Sequence, residues 1–334
     1  MKAILPVAGV GTRLRPHTHT QPKTLVHVAG KPILGHILDR LLPVGVDEVV
    51  LIVGQWGDRV VEYVQGAYPQ FKVTAIEQAE RKGLGHAVYL AREAVPPEEP
   101  VLIVLGDTIF HADLKTALQP GRSTIGVRRV ADPRQFGVVE LDGDRVRRLV
   151  EKPANPPSDL AVVGIYYLRQ SGLLFDCLQE IIDAGIRVKG EYQLTDGLQR
   201  MIEKGEPLYT FPVENWWDCG NAETLLKTNR DLLILLEPPV AEIPGSIVIP
   251  PVVIEEGAVI NNSIIGPYVS VAAGAEITDA IVRDSIINEG ACVSGILLEG
   301  SLIGHKATVR GSFTRVNIGD SSSMHLGGGN GGLD

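Results

Sequence analysis

The sequence predicts an α/β domain, a mostly parallel sheet with helices on both faces, followed by a parallel β-helix. Two observations carry this. Over the first two-thirds of the chain, short apolar runs alternate with amphipathic helical patterns, the rhythm of βαβ units. Beyond Pro238-Pro239, aliphatic residues instead recur every five or six positions, with glycine or small residues between them.

Strands are expected at Ala3–Pro6, Glu48–Val53, Val73–Ile76, Val101–Leu105, Thr124–Arg128 and Val162–Tyr167. Helices are expected at Ile33–Leu42, Asp58–Tyr68, Gly85–Ala94, Leu173–Ala184, Thr195–Lys204 and Glu223–Leu236. In such a Rossmann-like sheet, ligands sit beyond the carboxyl ends of the strands. After the boundary near residue 240, Asn262-Ser263-Ile264-Ile265-Gly266, Asp284-Ser285-Ile286-Ile287-Asn288 and Gly300-Ser301-Leu302-Ile303-Gly304 are near copies. Stacked coils explain this short period, whereas a β-sandwich would alternate with period two. The pattern resembles the left-handed hexapeptide-repeat helix. The expected units are therefore 1–240, 241–320 and a glycine- and serine-rich tail over 321–334.

Composition narrows the function. Lys and Arg total 31 against 40 Asp and Glu, a net charge of −9, which disfavours broad binding to nucleic acid or anionic membranes. Apolar runs fall short of the roughly 20 residues of a membrane helix. The start, broken early by Pro6, does not read as a signal peptide, and a cytoplasmic protein is expected. Cys177, Cys219 and Cys292 are odd in number and far apart, suggesting neither disulfides nor a zinc motif.

The most informative segment runs from Leu5 to Pro16, followed by Pro22-Lys23. An apolar strand enters a turn at Ala8-Gly9-Val10-Gly11, where missing Cβ atoms let the backbone aim N–H groups at an anion. Thr12 and Arg13 follow; the Arg13 fork suits phosphate oxygens, and Lys23 adds a compact charge. A Walker loop is absent, and Leu14 stands where a dinucleotide fingerprint wants its third small residue. Asp107, after the run ending Leu105-Gly106, and Asp218, in Trp216-Trp217-Asp218-Cys219-Gly220, are two carboxylates able to share a Mg²⁺ with phosphate oxygens, or else turn caps. The amide of Gln78, beside Lys82-Gly83-Leu84-Gly85-His86, can donate and accept at once, as a pyrimidine edge requires. His17 and His19 lack a third nearby ligand and are read as loop residues.

This combination resembles the signature of the sugar-1-phosphate nucleotidylyltransferases, the nucleotide-sugar pyrophosphorylases, over nearly the whole chain from Lys2 to about Gly319. The resemblance implies transfer of a nucleotidyl group from dTTP or UTP to a sugar-1-phosphate, glucose-1-phosphate by default. It places the triphosphate on Ala8, Gly9, Gly11, Thr12 and Arg13, the base on Gln78 and Gly83, and Mg²⁺ on Asp107 and Asp218. Arg13, Lys23 and Lys152 become the catalytic cations. Gly137, Glu151, Lys152, Tyr166, Lys189 and Glu191 become the sugar-phosphate site, with Tyr166 equally readable as core. Thr195 and Asp196 are preferred as helix caps. Pro6-Val7, Thr108 and Cys219 depart from many thymidylyltransferases, leaving dTTP and UTP unseparated.

Three alternatives stand beside it: a non-catalytic regulatory subunit, a guanylyl- or adenylyl-transferring relative, and acyltransfer by the β-helix. Regulatory subunits are expected to lose the arginine, lysine or aspartates kept here. His305 is the sole histidine of the repeats, so a structural role is preferred, and a homo-oligomer is expected.

Overall fold

The structure is a computed structural model describing residues 1–119, 121–239, 242–312 and 321. Its elements run β1 (Lys2–Pro6), a small hairpin β2 (His27–Val28) and β3 (Lys31–Pro32), α1 (Ile33–Leu41), β4 (Glu48–Val53), α2 (Gly57–Ala67), β5 (Lys72–Glu77), α3 (Leu84–Tyr89) and β6 (Val101–Val104). There follow β7 (Thr108–His111), α4 (Leu114–Ala117), β8 (Ser123–Arg129), β9 (Gly137–Asp142), β10 (Arg145–Glu151), β11 (Leu160–Leu168), α5 (Ser171–Asp183), α6 (Leu194–Glu203), β12 (Leu208–Pro212), β13 (Asn215–Asp218) and α7 (Ala222–Leu236).

Nine strands form one sheet in the order β5-β4-β1-β6-β11-β8-β12-β10-β9. Its two faces bury alternate residues, as a pleated strand requires. Ala3 and Leu5 pack with α1, α2 and α7 through Leu38, Val60 and Leu232. Ile4 packs on the opposite face with α3, α5 and α6 through Val88, Leu174 and Leu198. The expectation of a mostly parallel sheet needs correction. From β5 to β6 the pairs are parallel, but β6–β11, β11–β8, β12–β10 and β10–β9 are antiparallel. For β9 and β10 the cause is connection length. β9 and β10 are joined at Gly143, with φ of 63°, and a tight turn can only reverse the chain. β7 and β13, which like β9, β10 and β12 are not among the expected strands, pair as a separate antiparallel ribbon.

The repeats fold as three four-stranded parallel sheets, the pairing of a three-sided β-helix. On one side Ile247, Ile264, Ile281 and Leu297 stand in register, so successive coils take 17, 17 and 16 residues. A strict hexapeptide period is therefore not kept. Its lumen is filled by Ile260, Ile277, Val293 and their neighbours. A second side docks on the first domain, with Ile286 buried in the α1 and α7 core. Asn229 of α7, 1% exposed, clamps the junction. Its Oδ1 accepts from the Ala29 N–H at 2.9 Å and the Ser270 hydroxyl at 2.6 Å, and its Nδ2 donates to the Tyr268 carbonyl at 3.2 Å. The expected boundary at 240/241, and the tail apart from Ser321, lie outside the described residues. No described helix is long and apolar enough to cross a membrane.

Candidate active site

The N-terminal signature folds back on itself at the carboxyl end of β1. The Val7 N–H still reaches the Ile52 carbonyl at 2.8 Å, after which the chain leaves the sheet. Gly11, at φ 64°, turns it into a single helical turn, Thr12–Leu14. A Cβ there would lie 3.0 Å from both Lys23 Cβ and Thr18 Cγ2, so the turn packs directly on the lysine. The Thr18 hydroxyl closes the loop on the Gly11 carbonyl at 2.8 Å.

Lys23 is only 7% exposed, and its Nζ lies 2.7 Å from Asp107 Oδ2. Asp107 lies between β6 and β7, whereas Asp218 arrives from the ribbon, opposite Thr108. Gly220 makes room for the meeting: a Cβ there would come within 2.8 Å of Asp218 Oδ2 and 3.0 Å of an Arg13 terminal nitrogen. Burial holds the Asp218 carboxyl above its ordinary range and the nearby charge of Asp107 adds to this, against the pull of Lys23 and Arg13. Two carboxylates with hard oxygen donors, one of them half-desolvated beside the other, fit Mg²⁺ completed by phosphate oxygens and water. Among the described residues, no group of three or more His, Cys, Asp or Glu side chains could hold a metal by itself.

Two adjoining cavities meet at this point. One, of about 520 Å³, is bounded by Ala8, Gly9, Arg13, Lys23, Gln78, Gly83 and Asp107. The other, of about 650 Å³, is bounded by Gly137, Glu151, Lys152, Tyr166, Asp107 and Asp218. Arg13, Asp107 and Glu191 belong to both. Gly11, Thr12 and Lys189 line neither. Gly11 shapes the loop and Thr12 is exposed. Lys189 is exposed in a tight turn at φ 52°, beside Gly190. There Val188 and Glu191 exchange hydrogen bonds of 2.9 and 3.1 Å, and this holds Glu191 rather than Lys189 at the cleft.

In the larger cavity, Glu151 ends β10 with Oε1 3.2 Å from Lys152 Nζ and Oε2 accepting from the Thr195 hydroxyl at 2.7 Å. Thr195 is thus no helix cap. Gln193 precedes α6 without any side-chain capping bond. Tyr166 is 4% exposed, and burial, with the Glu151 charge, pushes its phenol well up. Trp216 and Phe136 form one wall, ring on edge, with centroids 4.7 Å apart. Neither Thr195 nor Trp216 is assigned to the site by sequence reading, although each lies within a segment it singles out.

The nucleotidyl transferase family matches residues 2–234. A glucose-1-phosphate thymidylyltransferase of Streptomyces griseus is 34% identical, covering 98% of this chain and 99% of its own. A bifunctional protein GlmU of Methanocaldococcus jannaschii is 36% identical over 78% of this chain, which spans 61% of that longer protein. The crystal structure of a UDP-glucose pyrophosphorylase complexed with UDP-glucose superimposes with a TM-score of 0.61, over 70% of this chain and 98% of that one. At 24% identity that likeness is one of fold.

Proposed function

This chain belongs to the nucleotidyl transferase family, and from that premise we propose that it transfers a nucleotidyl group from UTP or dTTP to glucose-1-phosphate. The observation that carries the reading is the convergence of Arg13, Lys23, Asp107 and Asp218 where the two cavities join. A phosphate oxygen of the sugar phosphate attacks the α-phosphorus in line. A new P–O bond forms as the bond to the β-phosphate bridging oxygen breaks, and pyrophosphate leaves with that electron pair. The attacking group is already anionic, so the protein's task is positioning and charge neutralisation rather than proton transfer.

Arg13 and the backbone of the glycine turn hold the β- and γ-phosphates, with Lys23 beside the transferred phosphoryl group. Lys152 and Glu151 hold the sugar phosphate, and Tyr166 walls the ring. Asp107 and Asp218 would hold Mg²⁺, which when bound supplies further positive charge to the phosphate oxygens. The β-helix is read as left-handed through its resemblance to hexapeptide-repeat helices, and as the self-association element. Supporting self-association, Ile247, Ile281 and Leu297 are 58%, 39% and 76% exposed, beside the oppositely charged Arg283 and Glu299, which a two-fold-related copy would present in exchange.

The test is pyrophosphate release with Mg²⁺ and glucose-1-phosphate, running dTTP, UTP, GTP, ATP and CTP in parallel. Turnover with dTTP or UTP is expected, and Arg13→Ala should lower it at least about 100-fold. Turnover with GTP or ATP alone would sink the pyrimidine reading. An Arg13→Ala protein within a few-fold of wild type would remove that residue's role.

A further inference from the structure

The amide of Gln78 is already committed on one side. Gln78 is 8% exposed, its nitrogen donates to the Gly83 carbonyl at 3.1 Å, and it lies 3.3 Å from His86 Nδ1. A carbonyl oxygen only accepts, so the NH₂ end must be the one turned to Gly83, which leaves Oε1 turned away from that carbonyl on a side chain that lines the cavity. An NH₂ group only donates, so His86 Nδ1 must be the unprotonated nitrogen, with the hydrogen on Nε2. His86 itself is absent from the cavity wall, where Gln78, Gly83 and Ala87 stand.

We infer that His86 is a specificity-positioning residue: it locks the Gln78 amide with its oxygen outward, so that the site selects bases with an imide N–H over cytosine. This rests on the pyrimidine reading proposed above. Uracil and thymine offer N3–H to that oxygen, whereas N3 of cytosine carries a lone pair and meets it with repulsion. A free amide could flip and present its NH₂ to cytosine. The inward Gly83 carbonyl, which can only accept, opposes the flip, and His86 Nδ1 adds to this in its Nε2–H tautomer, because each would be left facing the amide oxygen. The groups around the imidazole act in the same sense. Burial, and then the charge of Lys82, hold its pKa below the ordinary value, while Glu80 acts in the opposite direction and is itself paired with Lys82 at 2.7 Å. The loop is braced from outside by Gly85 N–H to Tyr192 O and Tyr192 N–H to Lys82 O, both 2.8 Å. This bracing does not depend on the histidine side chain.

The test compares kcat/KM for UTP and CTP at saturating glucose-1-phosphate in wild type, His86→Leu and His86→Gln. His86→Leu should shrink the UTP:CTP ratio about tenfold, through KM for the nucleotide, with KM for glucose-1-phosphate unchanged. His86→Gln, which restores an acceptor oxygen, should recover the ratio to within about threefold of wild type. An unchanged ratio in a folded His86→Leu protein overturns the inference. Nitrogen-15 spectra of histidine-labelled protein, assigned by the same variant, address the lock without any nucleotide. A neutral Nε2–H tautomer at pH 7.5 is expected, and an Nδ1–H tautomer or an imidazolium overturns it. A wild-type protein inert with both UTP and dTTP but showing the Nε2–H form would fail the nucleotide reading and leave the lock standing.

Discussion

On the function proposed above, the two halves of the cleft, one for the nucleotide and one for the sugar phosphate, recognise their ligands by different means. The nucleotide half is built at the ends of parallel strands, from a glycine turn, backbone N–H groups and the buried Lys23. The sugar half is built on antiparallel strands and on the start of α6, from side chains that hold one another, Glu151 with Thr195 and with Lys152. A triphosphate has the same shape whatever base it carries, so rigid backbone serves it. A sugar phosphate is distinguished by its hydroxyls, for which side-chain acceptors and donors are needed. Geometry in the first half therefore depends on chain conformation, and in the second on pairs of functional groups.

The place where the halves join should show the largest effect. Asp218→Asn keeps the shape but removes one of the two carboxylates, and kcat is expected to fall about 10²–10³-fold, with unchanged circular dichroism. A fall of less than about fivefold would break the view of the junction as the reacting centre. The pH profile sharpens it. The Asp218 carboxyl is held above its ordinary range, and the ionised form is the one that holds a cation. Activity should thus decline as pH falls through that raised value, and the acid limb of kcat/KM should lie above the usual carboxylate range. Bound cation favours the carboxylate, so the limb in kcat should lie lower than the limb in kcat/KM. Asp218→Asn should abolish this separation.

A backbone change should be severe in the nucleotide half. Gly83 has φ 104°, and a Cβ there would sit 2.6 Å from the Tyr192 carbonyl oxygen. That conformation costs a non-glycine residue about 1–3 kcal/mol, and Gly83→Ala should raise KM for the nucleotide about 10–100-fold while leaving KM for glucose-1-phosphate within about twofold. A side-chain change should register on the other side. Thr195→Val removes the 2.7 Å donor to Glu151, worth about 1 kcal/mol net. KM for glucose-1-phosphate should rise about fivefold, and that for the nucleotide should stay. If both constants moved together, the division between the halves would be wrong.

The same difference explains what was legible in the sequence. Gly9, Gly11, Arg13 and Lys23 lie within one short stretch, and each matters for a reason the residue type declares. Most of the parallel strands and the helices followed from periodicity for the same local reason. Thr195 was read as a cap because threonine near a helix start usually is one; its partner is 44 residues away and leaves no local trace. Lys189 is a different case. Its assignment to the sugar phosphate comes from resemblance alone, and the structure holds it exposed in a left-handed turn outside the lining of either cavity. In the antiparallel half, β8 and β11 are expected from the sequence, whereas β9, β10 and β12 are not, for a related reason. Arg145–Glu151 carries arginines on its exposed positions and buries only Val146 and Leu149, so its apolar signal is thin. The β-helix repeat was visible as near copies, while its 17- and 16-residue coils became measurable only from the register.

The smallest expected effect separates the two mechanisms most cleanly, because it applies the same substitution to the other half. A Cβ on Gly137 would lie 3.3 Å from both Glu151 Oε2 and Thr195 Oγ1. Both contacts are with side-chain tips, which can give by a few tenths of an ångström, and no left-handed φ is required, since Gly137 begins a strand. Gly137→Ala should therefore change KM for glucose-1-phosphate less than about threefold. Combining it with Thr195→Val should give less than the product of the two single effects, because the alanine then presses on a pair already broken. A Gly137→Ala effect as large as that of Gly83→Ala would mean that the sugar half, too, is held by its backbone, and the contrast would be lost.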